Sequence, residues 1–197
     1  MRVYSYVVRW DIGFAPNPFH GWCSLATCKQ DIRAHALAGD WIVGTGSMAK
    51  GLADRLVYAL HVEEILTFDE YWTDARFGKK RPNLRGSLEQ RYGDNIYRHE
   101  NGEWMQVDSR HSFADGSPNP GHVVRDTKAD VVLLGREFVY FGGHGPVIPD
   151  ALRGQYGFDL CHGRPAYRVN FSDEMVAATV AWIDLLPRGV QGDPADW

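Results

Sequence analysis

The order of the predicted elements is the feature that most constrains the fold. Residues 2–9 mix β-branched and aromatic side chains, as in a strand buried on both faces. Further strand-like segments occur at 41–44, 56–66, 131–134 and 138–141. Several of them follow one another with no helix between, which favours antiparallel pairing. The order therefore predicts an α+β fold built on a small, curled, mainly antiparallel sheet with peripheral helices.

Three helices are predicted from local start and stop signals. Gln30 begins a short helix that Gly39 would end through a left-handed cap. Thr67 and Glu70 form a capping box ahead of a helix over 68–76. Ser172 is the expected N-cap of the longest helix. The 21 glycines and 10 prolines exceed the usual composition and argue against a helical bundle.

The expected organisation is one α+β domain with an insertion. That domain covers residues 1–187. A polar insertion, rich in turn signals, is predicted at about 77–128. Residues 188–197 are predicted to be a flexible tail.

The charge of the chain is unevenly distributed. The net charge is −4, yet residues 76–98 carry seven positive and only two acidic side chains. Cationic groups neutralise phosphates, and nearby aromatic rings stack on unpaired bases. The residues predicted to bind phosphate are Lys79, Lys80, Arg81, Arg85 and Arg91, and those predicted to stack are Tyr92 and Tyr97. The alternative is an ordinary solvated surface.

An aromatic loop at 11–22 could form a pocket with the end of the strand that begins at Trp41. A planar ligand needs apolar walls and a few polar groups at its edges. The predicted base-binding residues are Asp11, Asn17, Phe19, Trp22, Trp41, Thr45 and Ser47. The alternative is that the aromatic residues only fill the core and that Asn17, between two prolines, only fixes a turn.

Three residues are weak candidates for acid–base catalysis: Asp11, His111 and His144. The two histidines lie in polar, turn-rich segments where imidazole could transfer protons near neutral pH. A histidine in a surface loop more often has no catalytic role. No phosphate-binding loop, dinucleotide fingerprint or nucleophile elbow occurs, and we predict no cofactor.

The cysteines offer a weak metal site. Cys23 and Cys28 are separated by four residues, His20 precedes them, and Cys161 and His162 could approach in space. No second spaced pair exists, and buried free thiols explain the same pattern. We therefore predict no metal, with Cys23 and Cys28 as the weak candidate ligands.

The expected location is the cytoplasm. No run of about 18 apolar residues is present, which argues against a membrane span. The first nine residues already carry charge and lack a cleavage site, so they do not resemble a signal peptide. An odd number of cysteines, three, fits a reducing compartment.

Several segments resemble the nucleotide modification associated domain 2 family over roughly residues 1–150. The longest are DIGFAPNPF at 11–19, CSLATCK at 23–29 and GDWIVG at 39–44. The chain departs from the family pattern at Gln30, where proline is expected, and at residues 20–22. The resemblance implies a bacterial or phage setting linked to modified DNA bases, and it supplies no reaction.

The element order is also distantly similar to the opening of the PUA, EVE and YTH group. That similarity implies a PUA/EVE-like β-barrel with an aromatic pocket for a modified or flipped-out base. The leading hypothesis is therefore binding of a modified base or nucleotide in nucleic acid. An enzyme acting on a nucleotide or modified base is the first alternative. A scaffold for companion modification or defence proteins is the second.

Overall fold

The computed structural model describes residues 1–161 and 166–197. Its strands are β1 (Val3–Val7), β2 (Cys23–Leu25), β3 (Trp41–Thr45), β4 (Leu56–His61), β5 (Glu64–Leu66), β6 (Tyr97–Glu100), β7 (Glu103–Gln106), β8 (Val132–Gly135), β9 (Phe138–Tyr140), β10 (Tyr167–Arg168) and β11 (Gly189–Val190). Its α-helices are α1 (Gln30–His35), α2 (Phe68–Thr73), α3 (Leu88–Arg91), α4 (Pro120–Thr127) and α5 (Asp173–Asp184). Short 3₁₀ helices include Met48–Lys50, Ala75–Lys80 and Gly142–His144.

The chain divides into two compact units, each described here by itself. Unit 1 contains Met1–Asp11, Leu37–Glu63 and Gly135–Trp197. Unit 2 contains Ile12–Ala36 and Glu64–Leu134. The described residues form a mixed α+β architecture. Its strands make three sheets, none of which is closed into a barrel. The α+β class is confirmed, and the PUA/EVE-like barrel is not.

Unit 1 is built on a six-stranded sheet in the order β10-β1-β3-β4-β9-β11. The β3–β4 and β4–β9 pairs are antiparallel. The β1–β3 pair is parallel, which the long connection between these strands through Ile12–Ala36 of unit 2 allows. One face of the sheet packs Val43 and Val139 against Met175 and Ile183 of α5. Ser172 caps α5 by accepting a hydrogen bond from the Met175 amide, which confirms the predicted start of this helix.

Unit 2 surrounds a second apolar core. A three-stranded sheet, β2-β8-β5, packs with Phe68 and Tyr71 of α2 and with Phe77, Ile96 and Tyr97. The capping box is confirmed, since Thr67 accepts from the Glu70 amide at 3.2 Å and Glu70 accepts from the Thr67 amide at 2.7 Å. Residues 77–128, expected to be an insertion, contain α3, the β6–β7 hairpin and α4.

Three predicted elements differ from the structure. The helix predicted over 68–76 ends at Thr73, and a separate 3₁₀ helix follows over Ala75–Lys80. The strand expected over 56–66 is two strands, because β4 pairs with β3 and β9 whereas β5 pairs with β8 in another sheet. The helix predicted to reach Ala38 ends at His35, where Ala36 turns to extended backbone. Residues 188–197 include β11, which pairs with β9, and their flexibility stays a prediction. Within the described ranges, no helix combines the length and apolar character needed to cross a membrane.

Candidate functional site

Cys28 lies on a strained turn between a strand and a helix of unit 2. The turn follows β2 and leads into α1. Cys28 and Lys29 both have left-handed backbone, with φ of 57° and 39°. Neither residue is glycine, so each adopts this conformation at a cost of order 1 kcal/mol or more. Strain of this kind is concentrated at functional sites, and a sharp strand-to-helix turn is a known way to present a nucleophile.

The imidazole of His111 lies against the Cys28 thiol. Its Nε2 atom is 3.9 Å from Cys28 Sγ, within the range of a sulfur hydrogen bond. Its Nδ1 atom is 2.6 Å from Oδ2 of Asp126. The ring also meets Phe14 edge-on, with 4.7 Å between centroids. Both nitrogens and one ring edge are therefore fixed, and the orientation of His111 is set by its neighbours.

Asp126 connects the other two residues. Its Oδ2 accepts from His111 and from the Tyr97 hydroxyl at 3.0 Å. Its Oδ1 accepts from the Cys28 amide at 3.2 Å and from Arg125 Nε at 3.1 Å. The carboxylate is fully buried yet has four donors, as a buried charge requires. We call Cys28, His111 and Asp126 the triad.

The electrostatics of the triad favour an ionised pair. Burial alone would raise the pKa of Asp126, but hydrogen bonds from His111 and Arg125 lower it to about 2. Burial alone would lower the pKa of His111, but the hydrogen bonds to Asp126 and Cys28 outweigh it and raise that pKa. The ionised carboxylate therefore stabilises the imidazolium that forms when His111 takes a proton.

A buried arginine fixes the backbone of the triad. Arg33 of α1 donates from Nε to the Cys28 carbonyl at 2.9 Å and from Nη2 to the Asp126 carbonyl. Its Nη1 donates to the carbonyls of Ala129, at 2.9 Å, and Val131. One guanidinium thus joins the strained turn, the C-terminal end of α4 and the approach to β8. Arg33 is a positioning residue.

A second histidine lies beside the first. The rings of His111 and His122 meet edge-on with 4.2 Å between centroids. The Nδ1 atom of His122 is buried and has no hydrogen-bond partner in the described part of the chain. Burial and the nearby charge of His111 lower the pKa of His122, so its ring is neutral near pH 7. A neutral imidazole next to the ring of His111 can accept or donate a proton during a reaction.

This arrangement matches nucleophilic catalysis. A thiol is activated when an adjacent imidazole takes its proton, and a carboxylate holds that imidazole in the correct tautomer and orientation. The three roles are recognised by geometry and not by sequence position. In this chain Cys28 has the position of a nucleophile, His111 that of its base and Asp126 that of the orienting group.

Two of the residues predicted for base or phosphate binding have internal roles in unit 2. Asn17 is buried; its Nδ2 donates to the carbonyls of Gly13 and Tyr92. Its Oδ1 accepts from Lys80 Nζ at 2.7 Å. Lys80 is also buried and donates to the Asn17 carbonyl and to Ser24 Oγ. With its three protons donated inside the protein, Lys80 is removed from the predicted phosphate-binding surface.

The aromatic residues predicted in unit 2 also pack internally. Trp22 meets Phe77 edge-on, with 5.4 Å between centroids, and Phe19 is 5% exposed. Tyr97 is fully buried, with its hydroxyl bonded to Asp126, so its ring is not available to stack on a base. Tyr92 is partly exposed. The remaining predicted cations are on the surface: Lys79, Arg81, Arg85 and Arg91.

The other predicted base-binding residues belong to unit 1. Asp11 accepts from the Tyr140 hydroxyl at 2.6 Å and from the Ala195 amide at 3.2 Å. Trp41 is 3% exposed and stacks on His61. Thr45 donates to the Tyr6 carbonyl, and Ser47 precedes the Met48–Lys50 turn. Because the predicted set is divided between the units, its common pocket stays a prediction.

The remaining candidates are separate from the triad. His144 is exposed, in a 3₁₀ turn of unit 1. Cys23 is fully buried, and burial raises its pKa to about 12. Cys161 belongs to unit 1, and His162 lies outside the described residues. Within residues 1–161 and 166–197, no three His, Cys, Asp or Glu residues are grouped as metal ligands.

The sequence indicates two members of the triad separately, His111 as a catalytic candidate and Cys28 as a metal candidate. It does not indicate Asp126, His122 or Arg33. Cys28 lies 83 residues from His111 and 98 from Asp126, so no local motif links them. The one readable signal was the i, i+4 spacing of His122 and Asp126, which places both on one face of α4.

Comparison with known proteins identifies a family. The family model for nucleotide modification associated domain 2 matches residues 1–197, the whole chain. No match was found among curated proteins or among solved structures.

Proposed function

Because the chain belongs to the nucleotide modification associated domain 2 family, we propose that it is an enzyme acting covalently on a nucleotide or nucleobase. Cys28 is the nucleophile and His111 the general acid–base group. The observation that carries the proposal is the continuous contact from Cys28 Sγ to His111 Nε2 and from His111 Nδ1 to Asp126. The family supplies the class of substrate, and the triad supplies the chemistry.

The proposed reaction starts with addition to a trigonal carbon. His111 takes the Cys28 proton, and the thiolate forms a sulfur–carbon bond with a carbon that is double-bonded to oxygen or nitrogen. The π electron pair moves to that heteroatom. In a hydrolytic cycle this pair returns, the bond to an amine or alcohol leaving group breaks, and the His111 imidazolium gives the leaving group its proton. Water, deprotonated by His111, then displaces the Cys28 thiolate, which closes the cycle.

Asp126 and Arg33 supply no reacting atom. Asp126 stabilises the imidazolium that forms at His111 and fixes its tautomer. Arg33 fixes the carbonyls of Cys28 and Asp126, so that the strained turn keeps the thiol against the imidazole. The nucleophile needs a reduced thiol, which agrees with the expected cytoplasmic location.

Binding of a modified base without chemistry is the second candidate. The observation that favours it is the exposed set of cations on the Ala75–Lys80 turn and around α3, next to the partly exposed Tyr92. Such a surface would hold nucleic-acid phosphates. Companion modification or defence proteins would then act on the bound site. The enzyme ranks first because several of the base-binding residues predicted from the sequence are already engaged in the interior.

The test is acid-quenched trapping followed by intact-protein mass spectrometry. The protein is incubated with a panel of deoxynucleoside monophosphates bearing acylated, aminoacylated or otherwise substituted bases. The expected result is a mass increase located at Cys28, absent in Cys28→Ser and retained in Cys161→Ser. Turnover that persists in Cys28→Ser would overturn the proposal. Binding of modified oligonucleotides without adduct or turnover would favour the second candidate.

A further inference from the structure

The triad has two arginines beside it whose outer guanidinium nitrogens have no role in the proposed chemistry. Arg110 immediately precedes His111 and is exposed. Its guanidinium has no hydrogen-bond or ion-pair partner among the described residues. Arg125 donates from Nε to Asp126, and no other nitrogen of its guanidinium has a partner in the described part of the chain. Its side chain is 42% exposed. Both guanidinium groups can therefore accept a ligand.

Each of the two arginines adjoins a triad residue: Arg110 precedes His111 in the chain, and Arg125 donates to Asp126 at 3.1 Å. Arg110 and Arg125 each contribute to lowering the pKa of His122, after the larger effects of burial and of His111. His122 lies against His111, and His111 lies against Cys28. The acidic group that acts most strongly on Arg125 is Asp126, which is buried and shared among four donors. Two exposed cationic side chains therefore adjoin the triad.

We infer that Arg110 and Arg125 form a phosphate-binding rim that holds the phosphate of the nucleotide on which Cys28 acts. This inference rests on the proposed function, since it assigns the substrate of the same site. A guanidinium group matches two oxygens of a phosphate, and its exposed nitrogens lose little hydration when they bind one. A phosphate held there would anchor the nucleotide next to the thiol, and the reacting carbon would be brought to Cys28 by that anchor.

This rim is distinct from the cations predicted around α3. Arg85 is one of those cations; it is exposed and lies in the segment between the Ala75–Lys80 turn and α3. Arg85 also has no side-chain partner in residues 1–161 and 166–197. It is therefore a matched control, because it is an exposed arginine of the same unit that lies outside the segments carrying the triad.

The experiment compares two alkylating agents that differ in charge. Iodoacetate and iodoacetamide form the same kind of thioether with Cys28, but only iodoacetate is an anion. Both rates are measured in a Cys161→Ser background, with the modified residue located by peptide mass spectrometry. The ratio of the iodoacetate rate to the iodoacetamide rate reports the positive field at the thiol. The iodoacetamide rate alone reports whether Cys28 is reactive.

The expected ratio falls in Arg110→Ala by roughly threefold, as loss of one charge at a partly screened site would give. It falls further in the double variant with Arg125→Ala and stays at the wild-type value in Arg85→Ala. Inorganic phosphate and a deoxynucleoside 5′-monophosphate slow the reaction of the wild type and not of the double variant. Protection by a single-stranded oligonucleotide but not by the monophosphate would identify a polymer backbone as the source of the phosphate.

Two outcomes would overturn the inference in different ways. An unchanged ratio in the double variant, with Cys28 still reactive toward iodoacetamide, would place the phosphate elsewhere and leave the proposed function standing. A Cys28 that reacts with neither agent would remove the nucleophile, and with it both the proposed function and the substrate assigned to it. Far-ultraviolet circular dichroism of each variant shows that the fold is retained.

Discussion

Oδ2 of Asp126 lies 2.6 Å from Nδ1 of His111, and the other oxygen of the same carboxylate receives the amide of Cys28. One buried side chain therefore holds both the base and the turn that carries the nucleophile. The arrangement joins residues from a strand-to-helix turn, a loop and helix α4. A catalytic role is indicated only by the contacts among the three residues, because each residue alone has an ordinary structural explanation.

The first prediction concerns the pH dependence of the His111–Asp126 pair. The raised pKa of His111 stabilises the fold below its unfolded value of 6.5, and this contribution is lost as pH rises through the folded value. The lowered pKa of Asp126 stabilises the fold above its unfolded value of 3.8, and this contribution is lost as pH falls toward about 2. Coupling between the two residues should therefore be largest between pH 3.8 and 6.5.

The measurement is a double-mutant cycle of His111→Ala and Asp126→Asn by urea unfolding. We expect a coupling free energy of roughly 1–3 kcal/mol inside that window. It should decrease above the folded pKa of His111. A coupling free energy that stays the same when the pH is raised from inside the window to well above the folded pKa of His111, or that is largest in alkaline solution, would show that the two side chains do not form a charged pair.

The second prediction uses two adjacent lysines with opposite environments. Lys80→Met removes a buried ammonium from Asn17 and Ser24 and leaves the buried Asp94 without a compensating charge nearby. This should cost about 3–5 kcal/mol of unfolding free energy. Lys79→Met, at an exposed position, should cost less than about 0.5 kcal/mol. If Lys80→Met keeps its stability and loses nucleotide binding instead, Lys80 is a phosphate ligand after all.

The third prediction concerns Arg33 as a positioning residue. Arg33→Lys retains the charge but cannot reach the carbonyls of Cys28, Asp126, Ala129 and Val131 together. It should lower the unfolding free energy by about 2–4 kcal/mol, because buried carbonyls lose their donors. It should also slow alkylation of Cys28, and His111 should lose its influence on that rate. Arg85→Lys is the control, and equal behaviour of the two variants would rule out the role.

The fourth prediction tests the surface around α3 separately from the triad. If this surface binds nucleic acid, removing Arg85 and Arg91 should weaken binding to single strands. The slope of log affinity against log salt should fall by about 0.7 for each lost phosphate contact. Arg136→Ala, in unit 1, should leave the slope unchanged. A wild-type slope in the Arg85→Ala, Arg91→Ala variant would identify this stretch as ordinary solvated surface.

The sequence is sufficient to predict structural features that depend only on residues close together in the chain. The Thr67–Glu70 capping box and the Ser172 cap need only a few residues, so both could be predicted from the sequence alone. The burial of Lys80 could not, because its acceptors come from Asn17 and Ser24, more than 50 residues away. The positive run at 76–98 looked uniform for the same reason, although Lys79 is exposed and Lys80 is not.

The triad shows the same limit at the functional site. His111 carried a general signal, since a histidine in a polar loop is a candidate base in any chain. Asp126 carried only its i, i+4 spacing from His122, and an aspartate in an amphipathic helix is normally solvated. Only the fold shows that it is fully buried and that two of its four donors are His111 and the amide of Cys28.

The most direct test of the central claim is the alkylation rate of Cys28 by iodoacetamide, in the wild type and in His111→Ala. Activation of the thiol by His111 predicts a decrease of about tenfold in His111→Ala near neutral pH. His99→Ala is the matched control, because His99 also contacts a carboxylate, Asp69, but has no cysteine beside it in the described contacts; its rate should equal that of the wild type. Equal rates in all three proteins would show that His111 does not activate Cys28 and would contradict the proposed mechanism.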